Sequence, residues 1–184
     1  IDNPLPATAA WYVEEMDWAI FRLAPRSKVP LKGSNGFKDA TKDLQVIGKL
    51  WKERPTCNIG CATGDVSGLL VIDVDDPESF KSLCAGRDLP VSTRQVTSPG
   101  RMQLFFKMPK DISIGCSASK LAKGVDVRGN GGYTVLPPSI HPKSGMPYDW
   151  VEGFELPAVG LADAPGWLLA EIQSLSKESE APAP

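Results

Sequence analysis

The chain has 184 residues, with 20 Lys plus Arg against 22 Asp plus Glu and a formal net charge of −2. That length suits one compact domain with a sizeable core, and the charge balance excludes bulk attraction to nucleic acid or an anionic membrane, so a polyanionic partner must be held by a local basic cluster. Cys57, Cys61, Cys84 and Cys116 lack paired C-x-x-C spacing and read as small buried hydrophobes in a reducing compartment; with neither a signal peptide nor an apolar run of ~20 residues, the expectation is a soluble cytoplasmic protein.

In chain order, residues 7–18, ATAAWYVEEMDW, carry helix formers with apolar residues at helical spacing, and AIFRL behind them reads as a short strand. The segment APRSKVPLKGSNGFKDAT is rich in Pro, Gly, Lys and Ser and is expected as an exposed loop, with Lys28, Lys32 and Lys38 as local positive charge. In DLQVIGKLWKERP, Asp43 suits an N-cap, and Val46, Ile47, Leu50 and Trp51 make one face of an amphipathic helix that stops before Pro55. From NIGCATGDVSG onward glycine-punctuated strands take over: LLVIDV, TRQVTS, MQLFFKM, GVDVRG and GYTVLPP, with a helix PESFKSLCAG after the first. Asp163, with Pro165 just inside, opens a last helix, DAPGWLLAEIQSL, whose Trp167, Leu168, Ile172 and Leu175 form an apolar stripe. The expected class is α+β, a mixed or mainly antiparallel β-sheet core with packed helices. A single domain is expected over residues 1–175, followed by a polar tail at 176–184, SKESEAPAP, that links to a further domain.

The stretch SGLLVIDVDDPESF, residues 67–80, drives an apolar strand into three carboxylates. Side chains two apart in a strand share a face, so Asp73 and Asp75 project together while Ile72, Val74 and Asp76 point the other way. Like charges so placed repel and cost stability unless a cation lies between them. Hard oxygen ligands suit Mg²⁺ or Mn²⁺, and a third carboxylate is usually wanted. KGVDVRGNGGY offers one in Asp126, with Arg128 on the same face and able to clamp a phosphate if the two strands are neighbours. Taken singly, each segment has a plainer reading: a strand running into an acidic loop, and an Asp126–Arg128 surface ion pair followed by a glycine turn.

Taken in order, NIGCATGDVSGLLVIDVDD, TSPGRMQLFFKMP, GVDVRGNGGYTVLPPSIHP and YDW, with APRSKVPLKGSNGFKDAT before them, resemble the N-terminal primase-polymerase (prim-pol) domain of the archaeo-eukaryotic primase superfamily, found in plasmid, phage and prophage replication proteins. The resemblance covers about residues 15–155 and implies an RRM-like catalytic core. The family's first motif, two acidic residues one apart after an apolar strand, falls on Asp73 and Asp75, and its third falls on Asp126. These three are thereby implied to be the catalytic carboxylates and the ligands of two divalent ions, Mg²⁺ or Mn²⁺. The second motif normally ends in a His that contacts the incoming nucleotide's phosphates; here that place holds Gln103, which can donate a hydrogen bond but carries no charge and shuttles no proton. Arg101 and Arg128 are candidates to supply the charge, and Arg128–Gly129 matches the family's RG. Ser139 and the single histidine, His141, lie in PPSIHP, a segment the family shares, and are implied to line the nucleotide pocket. Arg101 as a solvated hairpin residue and His141 as a structural residue of a Pro-rich turn stay open beside these roles.

The implied activity is that of a DNA primase or DNA polymerase, transferring a nucleotide from an NTP or dNTP to a 3′-hydroxyl on a single-stranded DNA template, with pyrophosphate leaving. The implied partners are template, nucleotide and a fused or associated helicase, with no membrane. A second reading is a catalytically weak single-stranded DNA- or origin-binding module of a replication initiator, with Gln103 as the trace of lost activity. The carboxylates favour the enzyme, because an acidic cluster beside polyanionic DNA does nothing for a pure binding module. A metal-dependent nuclease also groups carboxylates but accounts for neither the order of the segments nor the rest of them.

Overall fold

Local sequence accounts for most element boundaries in the computed structural model, which describes residues 2–180. Helix α1 (Leu5–Met16) begins behind Pro4 and closes where Asp17 turns left-handed at φ 55. Strand β1 (Ile20–Leu23) follows, then a loop with one 3₁₀ turn at Gly36–Asp39. Helix α2 (Leu44–Glu53) is capped as expected: the Asp43 carboxylate accepts from the backbone N–H of Gln45 and Val46. Next come β2 (Asn58–Ala62), β3 (Leu69–Val74) and α3 (Pro77–Cys84), the last capped by Asp76 through the Ser79 N–H. Strands β4 (Arg94–Ser98), β5 (Arg101–Lys107), β6 (Ser117–Ala122), β7 (Val125–Arg128) and β8 (Tyr133–Leu136) complete the central run. The chain ends through β9 (Asp149–Trp150), α4 (Leu156–Val159), β10 (Ala162–Asp163) and α5 (Gly166–Glu180).

Two antiparallel sheets result. The larger runs β6-β7-β3-β5-β4-β9, with β10 added parallel to the end of β5, and the smaller runs β1-β2-β8. This is the expected α+β class with a mainly antiparallel core. Strands β3 and β5 are apolar almost throughout because both of their faces are covered. Leu70, Ile72, Val74, Leu104 and Phe106 pack with Phe80 of α3 and with Leu168 and Ile172 of α5. Leu69, Val71 and Phe105 turn the other way, onto a cluster built from α1, α2 and the small sheet that includes Tyr12, Trp18, Ile47, Trp51 and Ile59.

The sequence reading differs from the structure at several edges. Strands β2, β6, β9 and β10 were not expected. Asp163 does not cap the last helix; it lies in β10, paired with Lys107, and α5 starts at Gly166 behind Pro165. That helix continues to Glu180, so residues 176–180 of the expected tail are helical, while 181–184 lie outside the described residues. All four cysteines are free; Cys57 and Cys61 are buried as expected, Cys84 is half-buried and Cys116 is exposed.

Candidate active site

Register assembles the site. In neighbouring antiparallel strands β7, β3, β5 and β4, the directly paired residues are Asp126, Asp73, Gln103 and Gln95. Directly paired residues project to the same face, so one polar row crosses the sheet on the side that also carries Val71 and Phe105. Asp75 lies one residue beyond β3, and its N–H donates to the Gly124 carbonyl at 2.8 Å. The next N–H, of Asp76, reaches the same carbonyl at 3.2 Å while the Asp76 side chain turns back to cap α3. Gly124 is required here: its φ is +65, and a Cβ would stand 2.7 Å from that of Asp76. The loop between β6 and β7 therefore holds two consecutive carboxylates apart, one toward the row and one away from it.

One carboxylate oxygen from each of Asp73, Asp75 and Asp126 lies within 4.8 Å of the others, so the three brought together by expectation do meet and could hold a metal ion. Asp73 is buried, Asp75 exposed and Asp126 between the two. Arg128 donates to Asp73 Oδ2 from Nη2 at 3.1 Å and from Nε at 3.4 Å, and Arg101 stands 3.9 Å from Asp75. Asp126 accepts from the Ser119 N–H at 2.8 Å. Burial pushes the Asp73 carboxyl above the ordinary carboxylate range; Arg128 opposes that rise and Asp75 adds to it. Three carboxylates with only two guanidinium groups beside them, one carboxylate being buried, fit a hard divalent cation in both donor type and charge.

Asp73 and Asp75 open into a cleft of about 220 Å³, also lined by Arg101, Gln103, Arg128, Lys28 and Tyr133, while Asp126 meets them from outside its lining. A basic basin adjoins it and shares Lys28, Asp75 and Arg101, adding His141 and Lys143. His141 Nδ1 accepts the backbone N–H of Lys143 and of Ser144, so Nε2 carries the proton. Partial burial, then Lys28 and Lys143, hold its pKa below the ordinary histidine value. Ser139 is placed elsewhere: it is fully buried, and its hydroxyl accepts the Ile59 N–H at 2.7 Å.

Gln103 is held by partners that the sequence reading did not identify. Its Oε1 accepts from Gln95 Nε2 at 2.9 Å and from the Thr134 hydroxyl at 2.6 Å, and Gln95 Nε2 also donates to the Val135 carbonyl at 2.9 Å. Its NH₂ group is left turned to Asp73, whose ionised form it favours as a donor. The available signal was Gln95 itself, a long polar side chain at an inward position of TRQVTS, which must find partners if buried. Tyr148, the tyrosine of YDW, also lines the cleft; its hydroxyl is buried and its pKa is pushed up to about 12 by burial, with Asp73 adding to the rise. Two glycines of GNGGY serve packing: a Cβ at Gly129 would collide with the Ile114 carbonyl, and one at Gly132 with the Cys116 thiol; the third, Gly131, has open space and a φ of +81, so it serves the turn.

The protein is thus an α+β domain that gathers three carboxylates on one face of a mainly antiparallel sheet, where they could hold a metal ion. The family model for the bifunctional DNA primase/polymerase N-terminal domain (Prim-Pol) matches residues 9–167, and the chain belongs to that family. The match bears out the motif-based resemblance and extends it at both ends. It supports primase/polymerase work in DNA replication, on DNA and nucleotides. Comparison with curated proteins gave no match. Among the described residues, no helix is long and apolar enough to cross a membrane.

Proposed function

We propose that this domain catalyses template-directed nucleotidyl transfer from an NTP or dNTP to a 3′-hydroxyl on single-stranded DNA, with Asp73, Asp75 and Asp126 holding two Mg²⁺ or Mn²⁺ ions. The observation that supports this most is the convergence of carboxylates from two segments some fifty residues apart to within 4.8 Å of one another, beside two arginines. When bound, such ions lower the pKa of an attacking hydroxyl and offset charge on the triphosphate.

The chain's own groups divide the remaining work. Arg128 is positioned to exchange part of its contact with Asp73 for a phosphate oxygen, as Arg101 is beside Asp75. Gln103 presents neutral N–H to the same space. The basin with Lys28, Lys143 and His141 suits trailing phosphates; there His141, neutral at pH 7, acts as an Nε2–H donor and not as a cation. Ser139 acts from outside the pocket lining: its hydroxyl holds Ile59 of β2, and its carbonyl accepts the N–H of Tyr148, which lines the cleft. In this reading the protein works in the cytoplasm as a domain followed by a linker, with a fused or associated helicase opening its template.

The test is incorporation of labelled nucleotides on a primed or unprimed single-stranded template with Mg²⁺ or Mn²⁺, comparing the native chain with Asp73→Ala and Asp126→Ala. Incorporation by the native chain alone is expected. No incorporation by any of the three, with single-stranded DNA still bound, would sink the enzyme in favour of the binding module, and template degradation would point to a nuclease.

A further inference from the structure

We infer that Gln95 and Thr134 are positioning residues that lock the Gln103 amide with its nitrogen toward Asp73 and the cleft, so that Gln103 is a purpose-held neutral donor to nucleotide phosphate and not a remnant of a lost histidine. This rests on the nucleotidyl-transfer reading above. A terminal amide has nearly the same shape in its two flipped orientations, so its direction is set by its partners alone.

Here the partners form a one-way chain. The Val135 carbonyl can only accept, which fixes the Gln95 NH₂ toward it. The second hydrogen of that NH₂ goes to Gln103 Oε1, and the Thr134 hydroxyl goes to the same oxygen. At the far end Asp73 accepts from Arg128 Nη2 and Nε, and a carboxylate so paired can also only accept. Flipping Gln103 would set one NH₂ against another on the Gln95 side and an amide oxygen against a carboxylate on the Asp73 side. All of the groups between these ends are buried: Gln95 and Thr134 almost wholly, Gln103 with 7% of its surface exposed. Water cannot repair a wrong orientation there.

An imidazole would not use this cradle. A neutral ring nitrogen offers one in-plane lone pair, whereas Oε1 takes two donors, so Gln103→His would set Gln95 and Thr134 in competition for it, with only the longer 3.4 Å contact to the Val135 carbonyl left to the Thr134 hydroxyl. The cradle also joins the two sheets, since Thr134 and Val135 belong to β8 and Gln95 and Gln103 to β4 and β5. The test must therefore separate orientation from folding.

Two readouts do so, each on variants whose melting confirms that they are folded. In metal-free protein, the ¹⁵N–¹H signals of the Gln103 side-chain NH₂ are followed while inorganic triphosphate is added. They should shift in the native chain, lose that response in Thr134→Val and regain it in Thr134→Ser. In incorporation assays, Thr134→Val should lower kcat/KM about tenfold, the worth of one hydrogen bond to a charged group, with Thr134→Ser close to native and Gln103→His below native. A folded Thr134→Val with native NH₂ signals, triphosphate response and kcat/KM, or Gln103→His more active than the native chain, would overturn the inference. If the native chain incorporates nothing, the functional reading fails, and the triphosphate response of the Gln103 signals alone decides this one.

Discussion

The two faces of the large sheet are made by the same strands yet follow different rules. On one, Ile72, Val74, Leu104 and Phe106 meet the helices α3 and α5, and all four are apolar and buried. On the other, Val71 and Phe105 are as deeply buried, but Asp73 and Gln103, two residues along their strands, carry polar groups held by cross-strand partners. The first face is a source of stability, and the second gives some of it up. Burial raises the Asp73 carboxyl, so its ionised form is less comfortable in the folded chain than in water. Chemistry is gathered where packing has been relaxed.

Substitutions on either face test that difference. The largest expected effect is on the apolar face: Phe106→Ala removes a fully buried ring and should cost about 3–5 kcal/mol in denaturant unfolding, with any loss of incorporation tracking the unfolded fraction. Asp73→Asn should do the reverse, abolishing incorporation by about 10³-fold or more, roughly 4 kcal/mol of barrier, without destabilising the metal-free protein. The sign follows from linkage: a carboxylate whose folded pKa is raised costs stability above that pKa, and the cost fades as pH falls through it. Melting of Asp73→Asn at pH 7 should therefore match or exceed native by up to a few degrees, with the gap closing in acid toward the ordinary carboxylate pKa of about 4. A clear drop at pH 7 would mean that the Arg128 pair outweighs burial. Gly124→Ala comes next, because it strains a left-handed residue and crowds Asp76. It should cost about 1–3 kcal/mol and reduce incorporation beyond what a core variant of equal melting temperature does, since Asp75 hangs from the same carbonyl.

The site's carboxylates were legible in the sequence because their signal is local: an apolar run ending in DVDD, and Asp126 two residues before Arg128 in a second strand. Their meeting needed β3 and β7 to be neighbours in one register, which ordered family segments implied and periodicity alone did not. The Gln95–Gln103–Thr134 cradle was illegible for the same reason, since its three members lie on three strands of two sheets. Strand β2 is small and mixed in composition, the exposed edge strand β6 shows no alternation, and β9 and β10 are two residues long, too short for any pattern. Ser139 shared a segment with His141 but not its direction: one side chain is buried against β2 and the other lines the basic basin.

The smallest expected effect tests whether the two kinds of packing are independent. Asp43 caps α2, and α2 delivers Ile47 and Trp51 to the apolar cluster on the site's own face of the sheet, away from the carboxylates. Asp43→Ala should cost about 1 kcal/mol, seen as a lower denaturant midpoint with an unchanged slope. The cap's loss frees two backbone N–H groups into solvent and leaves the large-sheet register untouched, so nucleotide KM and incorporation should not move. If KM rises in step with the lost stability, the small-sheet layer transmits strain to the cleft through β8, whose Thr134 and Val135 touch both layers, and the separation between stabilising and working residues drawn from the two faces would have to be given up.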